Sequence, residues 1–409
     1  MSRVCHVTPH LGGGVGRVLL GICGFPQDEY HHEIVCLEYC NQSAAERAKE
    51  LGISVSAELT RAELLTRMAA ADLVVIHWWN HPLLMELLIA AQLPAMRMLL
   101  WSHVGGHSTP QAFTRSLIEL PDLFVVASPY SLRAPTLRSD DTHLRLVFTS
   151  AGTEHVEGIT PQAHSGFNVG YIGTVDYCKM HRDFLTLSGA ARISDVHFIV
   201  CGGDRHQEIG AEADERFTFC GRVDDIRPYL ARFDVFGYPL RRDHYGTGEQ
   251  VLIEAQAAGV VPVVLAEGAE SYVVEHEETG LVVSEADYPR ALERLWAEPD
   301  LRARLSQQAR ARARDRFSLG GTVAAWHTVF AEASAAPKRQ RRWRDEVDAT
   351  GAELFLASID QCADQLLERI DDAPASLLSE TRGSPFHYQT FFPEDPRLNQ
   401  WCGRLKQGA

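Results

Sequence analysis

Two glutamates lie where a strand, a glycine-containing loop and a helix follow one another in residues 233–265. The pattern predicts a helix that begins near Gly248 and ends before Gly259. Glu249 is expected in its first turn, where exposed N–H groups hold anions and the helix dipole favours a carboxylate. Glu254 lies among apolar residues and needs polar donors, which the vicinal hydroxyls of a ribose would provide. The alternative for Glu254 is a partly exposed helical glutamate.

A lysine follows the strand that ends at Gly173. Lys179 stands six residues beyond that glycine and can reach back over the sheet edge as a point charge for a diphosphate. The simpler alternative is a lysine that lies in water, as most lysines do.

A glycine-rich turn joins the first predicted strand to a helix. Gly12, Gly13, Gly14 and Gly16 would let backbone N–H groups approach a phosphate or a sugar at the positive end of that helix. Their spacing differs from the dinucleotide-binding G-x-G-x-x-G pattern. The alternative is a turn that only permits close packing.

Aromatic and hydrogen-bonding residues form a cluster at 77–81 (His-Trp-Trp-Asn-His), directly after a predicted strand. Such side chains suit a sugar or another polyol, and packing at a strand end is the alternative. His10, His103 and His107 are expected at the same opening. They lack cysteine or carboxylate partners at ligand spacing, so no metal site is predicted.

The elements that must position these residues are two sets of short β-branched segments that alternate with helical stretches. This pattern is typical of parallel sheets covered by helices on both faces, with a ligand cleft between two units. The prediction is an α/β chain of two successive units of similar size, at 1–160 and 161–320. The predicted strands are 4–8, 33–36, 73–77, 98–102, 123–127, 146–148, 169–173, 196–201, 217–220, 235–238, 261–265 and 281–283.

Composition narrows the class of protein. The 409 residues, 45% of them hydrophobic, suffice for two domains with separate cores. The 54 acidic and 39 basic residues give a formal charge of -15, which argues against a nucleic-acid partner. The nine cysteines, with no C-x-x-C pair, predict reduced core residues of a cytosolic protein. Neither a signal peptide nor a membrane span is predicted.

Residues 321–409 are predicted to be a helical extension that packs back on the N-terminal domain. The basic run 337–344 has two interpretations: contact with anionic lipid headgroups, or a solvated helix end or linker. The Pro- and aromatic-rich stretch 384–401 is expected to pack on a surface.

In their order along the chain, these pieces resemble the retaining GT-B-fold nucleotide-sugar glycosyltransferases, specifically glycosyltransferase family 4. The resemblance implies two Rossmann-like α/β/α domains that face a central cleft, an N-terminal acceptor domain at 1–160 and a C-terminal donor domain at 161–320, with a helical C-terminal extension. It covers most of the first 320 residues, and the pieces that carry it are the turn at 12–16, Trp-Ser-His at 101–103, and the segments 126–131, 173–179, 198–204, 220–222 and E-A-x-A-x-G-x-x-P at 254–262.

The resemblance implies roles for individual residues. Lys179 would contact the donor diphosphate, Glu254 the ribose hydroxyls and His103 the donor sugar, with the nucleotide base near Gly202 and Gly203. The expected catalytic residues are His103, Lys179 and Glu249; the expected donor-binding residues are Gly13, Gly14, Gly173, Thr174, Lys179, Gly202, Gly203, Arg222, Arg242, Gly246, Thr247, Gly248, Glu249 and Glu254; the expected acceptor-binding residues are His10, His77, Trp78, Asn80 and His107.

The sequence departs from the family pattern at two positions. The family's paired glutamates stand eight residues apart, but the residue eight before Glu254 is Gly246. Glu249 or Asp243 are the candidates for the first carboxylate. The arginine that usually follows the strand-ending glycine is Thr174, so the second phosphate cation would be Arg241, Arg242 or Arg182.

The function implied is transfer of a sugar from a nucleoside-diphosphate sugar, UDP- or GDP-linked, to a hydroxyl of a saccharide, a lipid-linked saccharide or a small metabolite. The resemblance implies retention of anomeric configuration without a metal or other cofactor. The rivals are a GT-B nucleotide-sugar epimerase or phosphorylase, and a sugar-nucleotide-binding protein that has lost catalysis. Residue usage suggests a bacterial protein, cytoplasmic, with contact to the inner face of the membrane left open.

Overall fold

The computed structural model of the protein describes residues 1–343, 347–360, 363 and 382–407. These residues form two compact units, one built from 1–148 and the chain from 322 onward, the other from 149–321. Arg344 of the basic run and Cys362 lie outside the described residues.

The first unit contains a seven-stranded parallel sheet in the order β3-β2-β1-β4-β5-β6-β7. Its central strands are apolar and β-branched, and they are buried on both faces, as parallel strands covered by helices must be. The strands are β1 (Ser2–Leu11), β2 (Tyr30–Cys40), β3 (Ser54–Ser56), β4 (Leu73–Trp78), β5 (Met98–Ser102), β6 (Leu123–Val126) and β7 (Leu144–Leu146), and the helices between them are α1 (Gly13–Gly24), α2 (Gln42–Glu50), α3 (Arg61–Ala70), α4 (Pro82–Ala90) and α5 (Arg115–Glu119).

The second unit contains a six-stranded parallel sheet in the order β10-β9-β8-β11-β12-β13. Its core joins valines of the central strands to leucines of α10 and α11. The strands are β8 (Phe167–Ile172), β9 (Val196–Cys201), β10 (Phe217–Gly221), β11 (Val235–Tyr238), β12 (Val261–Leu265) and β13 (Leu281–Val283), and the helices are α6 (Phe184–Gly189), α7 (His206–Gly210), α8 (Arg227–Leu230), α9 (Gln250–Ala258), α10 (Tyr288–Ala297) and α11 (Pro299–Arg316).

Both sheets reverse their strand order at one point. In the first unit the chain moves outward from β1 to β3 and then returns to the other side of β1 at β4. In the second unit the same reversal separates β8 from β11. Ligands of open parallel sheets bind at the carboxyl ends of the strands beside such a reversal. The loops after β1, β4, β8 and β11 are therefore the first places to look for a site.

The C-terminal region is helical. Its helices are α12 (Leu319–Ser334), α13 (Gly351–Ile359), α14 (Pro385–Phe391) and α15 (Pro396–Gln407). Phe355, Tyr388 and Trp401 are buried in the same hydrophobic core as α4 and the first sheet. The aromatic side chains that the sequence places at 384–401 therefore belong to the core of the first unit.

The described part of the basic run packs on the first unit. The Lys338 ammonium donates to the Ala69 carbonyl over 2.8 Å, and Arg341 pairs with Asp122. Trp343 is buried in the core. Within the described part of the chain, no helix combines the length and the apolar character that a membrane crossing needs.

The sequence predicted twelve strands, and each coincides with or overlaps an observed strand. The last strand of the first sheet lies at 144–146 rather than 146–148, because Leu144 is already paired with Phe124. β3 was not predicted, since its three residues are partly exposed and too short to show a pattern.

Candidate functional site

The carboxyl ends of β8 and β11 bring a lysine and a glutamate together. Lys179 follows β8 and Glu249 ends the long loop after β11, and these two strands are neighbours in the sheet. The Lys179 Nζ lies 3.0 Å from Glu249 Oε2. The Tyr238 hydroxyl, on the last residue of β11, donates to the same oxygen over 2.8 Å. The sequence predicted both charged residues as site residues, whereas it gave no signal for Tyr238.

Both members of this pair are charged. Burial alone would lower the pKa of Lys179, but the charge of Glu249 and its hydrogen bond outweigh burial, so the pKa is raised above its ordinary value. Burial alone would raise the pKa of Glu249, but Lys179 and the Tyr238 hydrogen bond lower it. The site therefore holds an ammonium and a carboxylate with little exposure to water.

The two candidates for the first family glutamate have different surroundings. Glu249 is buried and contacts Lys179, while Asp243 is nearly half exposed and pairs with Arg241 over 2.6 Å. Glu249 has a left-handed backbone, with φ of +36°, and directly precedes α9. This conformation is uncommon for a residue with a side chain, and it turns the carboxylate back toward β8.

The glycines of the same loop make room for that carboxylate. A Cβ at Gly246 would lie 2.1 Å from Glu249 Oε1, and a Cβ at Gly248 would lie 3.2 Å from the Thr149 carbonyl. Thr247 between them is buried. Gly246, Thr247 and Gly248 thus form a tightly packed loop before the N-terminus of α9.

A buried hydrogen bond between a histidine and a glutamate supports this loop. His244 Nε2 lies 3.0 Å from Glu270 Oε2, and both side chains are almost fully buried. The Gly246 N–H donates to His244 Nδ1 over 3.0 Å, so the proton of the neutral ring lies on Nε2 and is donated to Glu270. This pair was not predicted from the sequence, because a single histidine and a glutamate 26 residues later match no spacing typical of a known motif.

Glu254 lies one turn further along α9 and is buried. Its Oε1 lies 3.1 Å from His155 Nε2 and 3.3 Å from Gln250 Nε2. Polar partners of this kind are what a buried carboxylate requires. His155 is 40% exposed, so this partner can move away when a ligand offers hydroxyl donors instead.

The candidates for a second phosphate cation are engaged elsewhere. Arg241 pairs with Asp243, and Arg242 pairs with Glu267 over 2.6 Å while 76% exposed. The Arg182 guanidinium lies over the ring of Tyr177 at 6.0 Å.

The loops after β8 and β9 touch at glycines. The Gly202 Cα approaches the Gly173 carbonyl so closely that a Cβ there would lie 1.9 Å from that oxygen. The neighbouring Gly203 has space, since its Cβ would meet only the Arg222 Cβ at 3.8 Å. Thr174 follows Gly173, and its carbonyl accepts a hydrogen bond from the Tyr171 hydroxyl. Arg222 is exposed beside this point.

This contact gives a stability prediction. We expect Gly202→Ala to lower the free energy of unfolding by about 1–3 kcal/mol, because the added methyl forces two backbone segments apart. Urea unfolding measures the loss. Gly203→Ala is the matched control and should change stability by less than about 1 kcal/mol. Equal losses in the two variants would contradict the close approach of the two loops.

In the first unit, the glycine-rich turn leaves the start of α1 open. α1 begins at Gly13, and a Cβ at Gly13 or Gly14 would meet nothing within 4 Å. Both glycines are exposed, and the first turn of the helix contains no acidic residue. The N–H groups of this turn can therefore approach an anion or a hydroxyl.

Histidines lie near the same sheet edge. The His10 ring stacks on Tyr39, and its Nε2 lies 3.2 Å from the Arg382 guanidinium. His103 directly follows β5, and His107 Nε2 donates to the Tyr130 carbonyl over 3.0 Å. Burial and the Arg382 charge lower the pKa of His10 to about 4, so its ring is neutral at pH 7.

Three predicted acceptor residues are buried in the first unit. His77 and Trp78 lie inside the sheet, and the pKa of His77 is lowered well below its ordinary value by burial. The Asn80 amide nitrogen donates to the Pro110 carbonyl and the Ser358 hydroxyl, each over 2.8 Å. Because all three side chains are buried inside the first unit, we do not include these three residues in the proposed acceptor site.

Comparisons with known proteins identify the fold. Residues 166–298 match the family described as Glycosyl transferases group 1. The HepE protein of Anabaena, crystallised in complex with UDP-glucose, has 14% sequence identity and a TM-score of 0.66, over 81% of this chain and 100% of HepE. A glycosyltransferase from Rickettsia africae ESF-5 has 12% identity and a TM-score of 0.64, over 81% of this chain and 98% of its own. Sucrose-phosphate synthase from Thermosynechococcus elongatus has 16% identity and a TM-score of 0.60, over 82% and 100%. No curated protein matches the sequence.

These similarities, with the two parallel sheets and the helical C-terminal region, confirm the predicted α/β architecture of the GT-B class. At such low identity the likeness to solved structures shows the fold alone, while the family match covers the second unit from β8 to the end of α10. That match includes Lys179, Glu249 and Glu254.

Proposed function

We propose that the protein transfers a sugar from a nucleoside-diphosphate sugar to a hydroxyl acceptor. The premise is that residues 166–298 are a glycosyl transferases group 1 domain and that the chain is a glycosyltransferase. The transfer retains the anomeric configuration and uses no metal. The single observation that carries the proposal is the buried Lys179–Glu249 pair at the carboxyl edge of the second sheet, beside the N-terminus of α9.

The pair supplies a fixed positive charge where a diphosphate needs one. Lys179 reaches an anionic oxygen as a point charge, and Glu249 keeps the ammonium charged and directed before the donor arrives. The free N–H groups at the start of α9 add partial positive charge. Glu254 on the same helix then accepts hydrogen bonds from the ribose hydroxyls in place of His155.

The reaction needs charge stabilisation more than it needs a protein base. The bond between the anomeric carbon and the diphosphate oxygen breaks, and the transition state resembles an oxocarbenium ion. Lys179 and the α9 amides stabilise the negative charge that develops on the diphosphate. The acceptor oxygen bonds to the anomeric carbon on the same face, and its proton passes to the departing diphosphate oxygen. Because the ammonium and the helix N-terminus provide the positive charge, a metal ion is not required.

The resemblance also implies roles for residues of the first unit. Gly13 and Gly14 present N–H groups, and the resemblance assigns His103 to the donor sugar. His10 and His107 are proposed to bind the acceptor, because His10 lies at the carboxyl end of β1 and the partly exposed His107 follows β5. Hydroxyls of a saccharide, a lipid-linked saccharide or a small metabolite all fit this chemistry, and imidazole nitrogens and backbone amides can bind each of them.

Ligand-induced stabilisation tests the donor site directly. HepE was crystallised with UDP-glucose, so we would test UDP and UDP-glucose first, followed by GDP, ADP, CMP and dTDP and their sugar conjugates. We expect one nucleotide class to stabilise the protein by about 2.7 kcal/mol at a hundredfold excess over its dissociation constant. Thermal unfolding with and without ligand measures this shift.

Two variants make this test specific. The Glu254→Gln variant should lose most of the stabilisation by the matching nucleotide, because an amide oxygen accepts hydrogen bonds from the ribose hydroxyls more weakly than a carboxylate does. Glu215→Gln, at an exposed position of the same unit, is the matched control and should keep it. A shift with no nucleotide, or a shift that Glu254→Gln leaves intact, would contradict the donor site.

Product analysis separates transfer from its rivals. Incubation with the stabilising nucleotide sugar and candidate acceptors should release the nucleoside diphosphate only when an acceptor is present. Conversion of the nucleotide sugar without an acceptor would indicate an epimerase, and a requirement for inorganic phosphate would indicate a phosphorylase. Binding without turnover, across all three acceptor classes, would indicate a binding protein.

A further inference from the structure

Four histidines form a continuous hydrogen-bonded chain through the first sheet. His103 follows β5, and its Nε2 lies 2.9 Å from His77 Nδ1 on β4. His77 Nε2 lies 2.9 Å from His6 Nδ1 on β1, and His6 Nε2 lies 2.8 Å from His32 Nδ1 on β2. These strands are adjacent in the order β2-β1-β4-β5, so the chain crosses half of the sheet to reach His103.

At its far end from His103, the histidine chain is hydrogen-bonded to a side-chain amide, which sets the direction of its hydrogen bonds. Gln27 Nε2 lies 2.9 Å from His32 Nε2 and 3.3 Å from the Ile22 carbonyl, which can only accept a hydrogen bond. The Gln27 Oε1 lies 2.6 Å from His327 Nε2, which therefore donates to it. Both contacts of the amide agree on which atom is the nitrogen. Gln27 consequently donates to His32 and cannot accept from it.

This direction propagates along the chain, because a neutral imidazole has one donor nitrogen and one acceptor nitrogen. If His32 accepts at Nε2, its proton lies on Nδ1 and is donated to His6 Nε2. His6 then donates from Nδ1 to His77, and His77 donates from Nδ1 to His103 Nε2. His103 must carry its own proton on Nδ1.

The four rings are neutral near pH 7, so each of them has one donor nitrogen and one acceptor nitrogen. Burial and the neighbouring histidines lower the pKa values of His6 and His77 well below the ordinary value. Burial lowers the pKa of His32 to about 4 and that of His103 to about 3. The His77 and His103 rings are also nearly parallel, with 8° between their planes, which aligns the two nitrogens.

We propose that Gln27, through His32, His6 and His77, fixes the tautomer of His103 so that its Nδ1–H is a permanent hydrogen-bond donor to the sugar substrate. No side-chain partner of His103 Nδ1 is found in the part of the chain that the structure describes, so this donor is available to a ligand. The ligand class is an oxygen acceptor, either a sugar hydroxyl or a glycosidic phosphate oxygen. The role of His103 toward the sugar rests on the proposed function; its tautomer does not.

Gln27 is thus a positioning residue. Without the chain, a histidine in water exchanges between two tautomers, and the Nδ1–H form is only part of the population. The histidine chain keeps His103 in the Nδ1–H form, since the donor nitrogen of each ring fixes which nitrogen of the next ring must accept. A ligand that needs the Nδ1–H donor then binds without first shifting an equilibrium.

One competing use of these residues is a metal site. His6, His32 and Cys23 each offer a ligand atom, and the three atoms lie within 4.8 Å of one another. Burial raises the pKa of the Cys23 thiol far above its ordinary value, so the thiol stays protonated beside the chain. Bound zinc would occupy ring nitrogens that otherwise form the hydrogen bonds of the histidine chain. The metal content of the purified protein therefore distinguishes a metal site from the hydrogen-bonded chain.

The test reads the tautomer directly. We would label the full-length protein with ¹⁵N-histidine and record long-range ¹H–¹⁵N spectra without nucleotide, assigning His103 from the signals absent in His103→Asn. The expected result is a protonated Nδ1 and an unprotonated Nε2 at His103. In Gln27→Met, which has no donor to His32, we expect a mixture of tautomers or the Nε2–H form.

Matched variants distinguish the effect of the hydrogen-bond donor at position 27 from a general effect of substitution on the structure. Gln27→Lys keeps a group that can only donate, so it should retain the Nδ1–H form of His103. Gln42→Met, at an exposed position of α2, should leave the spectrum unchanged. With a donor in hand, we expect kcat/KM to fall about tenfold in Gln27→Met and to recover in Gln27→Lys.

Three outcomes would overturn the proposal. The first is an Nε2–H tautomer of His103 in the unaltered protein, and the second is a Gln27→Met spectrum that shows no change at His103. The third is about one equivalent of zinc in the purified protein that Cys23→Ser removes. Because the tautomer is read without nucleotide, absence of donor binding would count against the proposed function and leave this inference standing.

Discussion

We expect the Lys179→Met variant to lose at least about 100-fold in kcat/KM with the nucleotide sugar that stabilises the protein, because preorganised charge at a departing diphosphate contributes on this scale. The same change leaves Glu249 buried without its cation. We therefore also expect a loss of about 3–5 kcal/mol in the free energy of unfolding. Steady-state kinetics and urea unfolding measure the two losses separately.

A second substitution distinguishes catalysis from stability. In the double variant Lys179→Met with Glu249→Gln, the remaining buried charge is gone, and the amide can still accept the Tyr238 hydroxyl. Stability should return to within about 1–2 kcal/mol of the unaltered protein, whereas kcat/KM should stay low. Lys49→Met, at an exposed site on α2, controls for the loss of a lysine and should change neither quantity. Recovery of activity in the double variant would show that Lys179 acts only as a structural partner.

The second large effect is an acid-induced loss of stability in the first unit. The folded pKa values of His6, His32, His77 and His103 are depressed by burial, to about 4 for His32 and about 3 for His103. The unfolded chain takes up these protons below about pH 6.5, whereas the folded chain does not. Stability is therefore fully present above pH 6.5 and falls as the pH drops toward the folded pKa values.

The expected slope is steep. Uptake of protons at these four histidines alone corresponds to about 5 kcal/mol per pH unit below about pH 6, which is comparable to the whole stability of a typical domain. We therefore expect the first unit to unfold cooperatively near pH 5. Six of the seven tryptophans belong to this unit, so tryptophan fluorescence in a Trp296→Phe variant reports on it alone.

Neighbouring histidines on β2 provide the control for this pH effect. His32→Phe removes one buried titrating group and should reduce the slope by about 1.4 kcal/mol per pH unit, whatever it does to stability at pH 7. His31→Phe removes an exposed histidine and should leave the slope unchanged. A flat stability profile between pH 6.5 and 5 would mean that the buried histidines take up protons in the folded state.

Local patterns in the sequence predicted most of the architecture. The β-branched strands are continuous apolar runs, and such runs bounded by glycine and proline predict buried parallel strands without knowledge of their neighbours. Lys179 and Glu249 were predicted from their places after a predicted strand and at the start of a predicted helix, and Glu254 because a carboxylate among apolar residues needs polar partners. β3 was missed, because a three-residue edge strand derives its existence from pairing with β2.

What the sequence alone determined is therefore the order of strands and helices, the GT-B class, and the loops in which a donor site is sought. The tertiary structure decided which residues meet there. It paired Lys179 with Glu249 rather than Asp243, joined His244 to Glu270, and aligned histidines from three strands and from the loop after β5 into one chain. The reason is physical: periodicity and turn residues are local properties of the chain, whereas hydrogen bonds between residues 26 to 71 positions apart exist only once parallel strands are in register.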